Sequence, residues 1–343
     1  MKVEEIRWKY GNDVRYAYAV GVIRVLETRL LSRERIDRAA DASDVEDVIR
    51  ILAETSYAEH LSSLTDPGDY ESFLTKERQK ALDLLQKLTK DPPLTDLLLY
   101  RFDFHNLKVA LKEKLGKQDL RTAYVSFGSV PVSMIKGAVK EEDLSPLPPP
   151  FRQVAEKAIR GFSDRQEAKW IDLVVDREMY QLLLSTSRRE GSLFLYDLIR
   201  REIDLINILS LFRIRRSDQK RGFFRESFLE GGSLSGEFFL PLLDESLEAL
   251  YGRFVHTPYR EVVENGWEDL SANGSFAGFE RMSRDLILEY LRKANLVAFG
   301  VEPLIAYVQA KENELGMIRT IMVGKLNRLE PRFIKERLPH VYL

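Results

Sequence analysis

Residues 95–108 read TDLLLYRFDFHNLK and residues 196–209 read YDLIRREIDLINIL. At one gapless offset of 101 they share Asp96/Asp197, Leu97/Leu198, Asp103/Asp204 and Asn106/Asn207, an echo of a helical segment that carries polar residues among apolar ones. A second echo pairs LLSRERIDRAADASDVEDVIRILAETSY, ending at Tyr57, with the stretch ending at Tyr259, through Val45/Leu247, Val48/Leu250, Leu52/Phe254, Thr55/Thr257 and Tyr57/Tyr259, at twice that offset. Self-similarity takes priority when an architecture is read from sequence. The interval is too long for a solenoid repeat, so the expectation is three similar helical bundles, with boundaries at 1–120, 121–221 and 222–343.

Working outward, nearly every segment has helical period. Phe104, Leu107, Leu111 and Leu115 fall at i, i+3, i+7 and i+11, one stripe of a 3.6-residue helix. Leu315, Ile318, Met322 and Leu326 repeat that spacing in the stretch 304–327, which puts Glu314 in the slot of Asp103 and Asp204. The acid persists in all three copies; the amide does not, because Met317 stands where Asn106 and Asn207 stood. Helices are expected from about Asp13 to Leu31, after an N-cap at Ser43, between Gly68 and the Asp91-Pro92-Pro93 break, and along the three echoed segments. Ser145 to Pro150 and Gly231-Gly232-Ser233 read as loops, and the stretch between Glu264 and Gly278, with Asn265, Gly266, Asn273 and Gly274, reads as an irregular loop. No series of alternating strands is present, so the class is all-α.

Composition bounds the function. The 343 residues are 44% hydrophobic, ample for a packed core, and 52 basic residues nearly cancel 54 acidic ones, so no global field recruits nucleic acid. There is no cysteine, hence no disulfide framework and no thiolate metal site. No apolar run approaches the roughly 18 residues that span a bilayer, and the N-terminus lacks the apolar core of a signal peptide. No Gly-rich phosphate loop, zinc-binding His pair or nucleophile elbow occurs, and the four histidines are scattered. No cofactor or metal is expected.

Two side-chain groups remain as candidates for chemistry. His105 sits between Asp103 and Asn106, an arrangement that an acid/base enzyme would use, with Asp103 orienting the ring. Against this, Ile206 replaces the histidine in the second copy while Asp and Asn recur, so the repeated pair reads as structural, bonding neighbouring helix ends or backbone amides. The basic run Arg213, Arg215, Arg216, Lys220 and Arg221 ends the second copy, where cations complement the helix dipole. It is read as a solvated face or a protein-partner patch, with nucleic acid the least favoured alternative.

The strings Y-V-Q-A-K-E-N-E-L-x-x-I-R from Tyr307 to Arg319, R-x-D-x-H-N-L-K from Arg101 to Lys108 and YAYAVGVIRVLETRLL from Tyr16 to Leu31 resemble the C subunit of A/V-type rotary ATPases, called the d subunit in the eukaryotic enzymes. The resemblance covers essentially the whole chain, in order. It implies three related helical bundles about a pseudo-threefold axis, forming a funnel. It further implies a non-catalytic central-stalk component that is a monomer when isolated and lies on the cytoplasmic face of the membrane without inserting into it. There it would couple shaft subunits of the D and F type to the membrane ring of c/K type subunits and transmit torque for proton or sodium transport. Carried over residue by residue, Asp103, Asp204 and Glu314 match the repeated acid, Asn106 and Asn207 the amide, Glu202 and Glu312 a second acid two residues earlier, and Arg319 falls in the slot of Lys108. These residues are expected to fix the bundles internally, with Glu312 and Glu314 contributing to coupling because a buried carboxylate needs a partner.

Overall fold

The structure, a computed structural model, describes residues 13–61, 64, 66–217 and 221–342. The described chain is all-α, with no strand. In order the helices are α1 (Ala17–Glu27), α2 (Arg33–Asp41), α3 (Val45–Ala53), α4 (Ala58–Leu61), α5 (Tyr70–Leu88), α6 (Pro92–Leu115), α7 (Val132–Glu141), α8 (Pro149–Arg165), α9 (Lys169–Arg189) and α10 (Leu193–Arg215). They continue with α11 (Arg221–Ser227), α12 (Gly236–Phe239), α13 (Leu247–Phe254), α14 (Arg260–Asn273), α15 (Ala277–Leu291), α16 (Glu302–Leu326) and α17 (Pro331–Lys335). Their starts follow local chemistry. Ser32 and Ser192 accept the amides of Arg35 and Leu195 at 3.3 Å, and prolines 149, 303 and 331 occupy first turns, where a missing N–H costs nothing.

Two compact units emerge, one from Pro92–Leu250 and one from the described parts of Arg7–Asp91 and Tyr251–Leu343. In the first, α6 packs on α7, α8 and α9, and α10 packs on α9 and α11. Phe104 meets Phe151 at 4.9 Å between ring centres, and Phe224, Phe228 and Phe239 form a second aromatic cluster. In the second unit α16 is central, against α1, α2, α3, α5 and α15. Its core joins Ile36, Val48, Leu52 and Tyr57 to Leu315, Ile318 and Met322. Burial follows the apolar stripes until the helices end: Leu115 is half-buried, and Leu326, in the last turn, is 46% exposed.

Three local expectations are corrected. The cap of α3 is Asp44, whose carboxylate accepts the Asp47 amide at 2.9 Å; Ser43 lies one residue outside and bonds Asp44 and Asp47. The first helix is shorter than its apolar pattern, since a 3-10 turn occupies Val14–Tyr16 and the helix stops at Glu27. The expected loop between Glu264 and Gly278 is mostly helix α14, closed by Gly274 at φ +66°. Gly266 is there for packing, because a Cβ on it would stand 2.9 Å from the Phe279 ring.

Candidate functional site

The three long helices α6, α10 and α16 each hold a buried acid, and each acid grips a strap of chain that leads into another helix. On α6, Asp103 is fully buried and accepts three hydrogen bonds, from the Ser129 amide at 2.9 Å, the Ser129 hydroxyl at 2.7 Å and the Val130 amide at 2.9 Å. Three residues on, Asn106 donates to the Val125 carbonyl at 2.8 Å and accepts the Val125 amide at 2.9 Å. The carboxamide thus pairs with strap backbone as a neighbouring β-strand would, satisfying both polar groups of one residue. Burial pushes the Asp103 carboxyl up from the ordinary aspartate range, and its three donors pull against that shift.

On α10 the same set recurs. Asp204 accepts from the Ser233 amide at 2.9 Å, the Ser233 hydroxyl and the Leu234 amide at 3.1 Å, while Asn207 donates to the Leu229 carbonyl at 2.8 Å and accepts its amide at 2.9 Å. Both straps need glycine where they pass the acid. A Cβ on Gly128 would lie 1.9 Å from an Asp103 oxygen, and one on Gly232 would lie 2.1 Å from an Asp204 oxygen.

The clamp on α16 is built differently. Glu314 accepts the Leu31 amide and the Tyr57 hydroxyl, and Lys311, one turn earlier on the same helix, stands 3.1 Å from it. The Lys311 ammonium also donates to the Tyr57 hydroxyl at 2.8 Å, lies over the Tyr57 ring, and approaches Glu77 at 3.7 Å. Glu77 in turn meets His60 Nδ1 at 2.6 Å. Burial and the Glu314 charge hold the Tyr57 phenol well above its ordinary value. The corresponding turns after α3 and α13 also match: Thr55 and Thr257 donate to the carbonyls of Leu52 and Phe254 and accept the amides of Tyr57 and Tyr259.

The remaining candidates pair elsewhere. Glu202 bonds Arg101, its counterpart one repeat earlier, and Glu312 takes Arg78 at 2.7 Å. Arg319 reaches Glu71 at 2.5 Å, and Lys108 reaches Asp176 at 2.7 Å. Arg215 turns inward to the carbonyls of Leu242 and Glu245, while Arg213 and Arg216 are exposed. Lys220 and the side chain of Arg221 lie outside the described residues. The alternative pairing of His105 with Asp103 as acid and base does not form. Residues two apart on a helix point about 200° away from each other, so Asp103 is buried against its strap while His105 is exposed, its Nε2 2.8 Å from the Ala123 carbonyl. Arg24, which no sequence pattern singles out, also fastens chain: its guanidinium caps the carbonyls of Ala294, Asn295 and Val297 and pairs with Glu27.

Chemically, the clamps fasten. Each Asp lone pair aimed at a strap is already taken by an amide or hydroxyl, which leaves no positioned base at either. Among the described residues no group of three or more His, Asp or Glu side chains is arranged to hold a metal ion, and no helix is long and apolar enough to cross a membrane.

Comparison with known proteins follows the same lines. Residues 19–337 match the model of the ATP synthase (C/AC39) subunit family. The chain is 25% identical over 325 residues to the C subunit of the V-type sodium ATPase of Enterococcus hirae, covering 94% of this chain and 97% of that one. It is 24% identical over 356 residues to the C subunit of the A-type ATP synthase of Desulfurococcus sp., covering 98% and 93%, and 22% identical over 347 residues to that of Methanocaldococcus jannaschii, covering 94% and 86%. With most of its length matched by the family model, the chain belongs to the ATP synthase (C/AC39) subunit family.

Proposed function

We propose that this member of the ATP synthase (C/AC39) subunit family is the non-catalytic coupling of an A/V-type rotary ATPase. In this reading it seats shaft subunits of the D and F type on the membrane ring of c/K type subunits, at the cytoplasmic face, and passes torque between them. The body consists of three related bundles, one for each long clamp helix. The observation that carries the reading is the way α6 and α10 hold their straps. Five hydrogen bonds per clamp, all buried or partly buried, weld a connecting segment to a long helix. A part that transmits torque needs its connections as stiff as its helices, whereas an enzyme of this size would keep at least one polar group free for substrate. The acids are spent on fixing the backbone.

The test is binding of the purified chain to detergent-solubilised ring and, separately, to the shaft subunits, each across a salt titration. Binding to both is expected, with the steeper salt slope identifying the ionic contact. A folded chain that binds neither overturns the assignment. In the assembled enzyme, Glu314→Gln is expected to lower ion pumping per ATP hydrolysed while the head keeps its hydrolysis rate; parallel loss of both would refute a coupling role.

A further inference from the structure

The three clamps differ in how much holds the strap. Asp103 with Asn106, and Asp204 with Asn207, each give their strap five hydrogen bonds, whereas the side chains of α16 give Thr28–Leu31 one, from the Leu31 amide to Glu314. The reasons are readable in the residues. Leu31 stands in the slot of Val130 and Leu234, so Leu30 occupies the slot of Ser129 and Ser233 and brings no hydroxyl, and Met317, 2% exposed, replaces the asparagine. Its other ties are a long one from Ser56 Oγ to the Arg29 carbonyl at 3.4 Å and three back to α1, from the Arg29 and Leu30 amides to the Leu26 and Glu27 carbonyls at 3.0 Å and from the Thr28 hydroxyl to the Val25 carbonyl at 2.7 Å, none of which involves α16.

Two cavities border the same segment. One of about 440 Å³ is lined by Leu26, Arg29, Leu30, Ser56, Tyr307 and Lys311 among others, and one of about 400 Å³ by Thr28, Arg29, Leu30, Leu31 and Ser56 among others. Arg29, Leu30 and Ser56 are common to both, so the strap is part of the wall they share. The chain on either side is fixed independently. Arg24 pins α1 to the 294–297 turn, the Tyr16 hydroxyl takes the amides of Lys90 and Asp91, and Ser32 caps α2.

We propose that Thr28–Leu31 is a latch, the segment of the second unit that opens locally while the straps at 125–130 and 229–234 stay shut. What allows this is the fate of the acid. Opening strap one would strip Asp103 of all three of its donors and strand a buried carboxylate, which is severely unfavourable. Opening the latch removes one donor from Glu314 and leaves Lys311 and the Tyr57 hydroxyl in place, so the charge stays compensated. The open state joins the two cavities and uncovers Glu314 and Tyr57 beside Lys311, which already lines the first of them. The clamp with the weaker grip on its strap is thus the one whose acid keeps a cation and a phenol that make release tolerable. This device stands whether or not the rotor reading does, since it is a property of the isolated chain.

The experiment is residue-resolved amide hydrogen exchange on the full chain. The Leu31 amide is expected to exchange at least about tenfold faster than those of Val130 and Leu234, the ratio that the loss of one or two net hydrogen bonds gives. Equal or greater protection at Leu31 would overturn the latch. Leu30→Ser restores the hydroxyl of the other straps and is expected to slow Leu31 exchange severalfold without changing Val130. Ser129→Ala is the converse, expected to speed Val130 exchange severalfold while leaving Leu31 as it was. If Ser129→Ala leaves Val130 unchanged, the hydroxyl is not what separates a strap from a latch and the account fails.

Discussion

Replacing Asn106 and Asn207 separately by alanine tests whether burial of the strap sets the worth of a clamp. The two carboxamides make the same pair of bonds, at 2.8 and 2.9 Å in each case, and both side chains are fully buried. Their strap partners differ: Leu229 is 5% exposed, whereas Val125 is half-buried. In Asn207→Ala the amide and carbonyl of Leu229 lose their partners where water cannot easily follow, and at about 1–3 kcal/mol for each unsatisfied group the loss should reach about 3 kcal/mol. In Asn106→Ala water can reach Val125, and the loss should fall to about 1 kcal/mol, the net worth of an exchanged hydrogen bond. Both residues lie in the unit formed by Pro92–Leu250, so they report on one unfolding event. In urea unfolding followed by circular dichroism, a slope of roughly 2 kcal/mol per molar turns the 2 kcal/mol difference into a midpoint gap of about 1 M. Equal midpoints, or a larger loss for Asn106→Ala, would refute the reasoning.

Two further outcomes follow from the same geometry. Gly232→Ala and Gly128→Ala drive a methyl into the clamp carboxylates and should each lower stability by at least about 2 kcal/mol, in the range for overpacking with loss of buried hydrogen bonds; Gly252→Ala, on an exposed helix face with open space around it, should raise stability by up to about 1 kcal/mol, and thermal melts of all three decide the point. Burial pushes the phenol of Tyr180 up to about 12 and those of Tyr57, Tyr307 and Tyr342 well above their ordinary value; because the folded values are raised, their contribution is complete below the unfolded value near 10 and is lost as pH rises through the folded values. Stability should therefore fall steeply above pH 10, with tyrosinate absorbance from these four appearing together with unfolding, and early reversible titration of all four in the folded chain would refute this.

The sequence exposed the grip of each clamp but not what it grips. Asp103, Asn106, Asp204 and Asn207 stood out because α6 and α10 are echoes without a gap. Their straps echo too, Gly128-Ser129-Val130 against Gly232-Ser233-Leu234, but at an offset of 104, since the connection between helix and strap is three residues longer in the second copy. A gapless comparison at 101 passes over them. The strap of Glu314 lies at the opposite end of the chain and has neither the glycine nor the serine of the other two, so nothing in its residues points to its acid. The partners of Glu312 and Arg319, Arg78 and Glu71, were hidden for a plainer reason: both sit on α5, more than two hundred positions away, with no local pattern to single them out. Arg101 and Glu202 are the exception, since they hold opposite charges at one repeat position, a pairing visible in the residue order itself.

The length of the acid and the identity of the strap residue beside it change together. In the first two clamps an aspartate approaches so closely that only glycine fits at 128 and 232. The third strap has Arg29 in that slot, and a residue with a Cβ there would collide with an aspartate held at the same distance. Glutamate resolves this, because one more methylene lets the carboxylate reach the Leu31 amide without a glycine beside it. The longer side chain gives up the second amide contact and the serine, and its charge must be met by groups from elsewhere, Lys311 on its own helix and Tyr57 beyond the strap. The third clamp is thus a coherent second solution to the same problem: it exchanges a dense backbone grip for ionic compensation, and in doing so becomes the one that can let go.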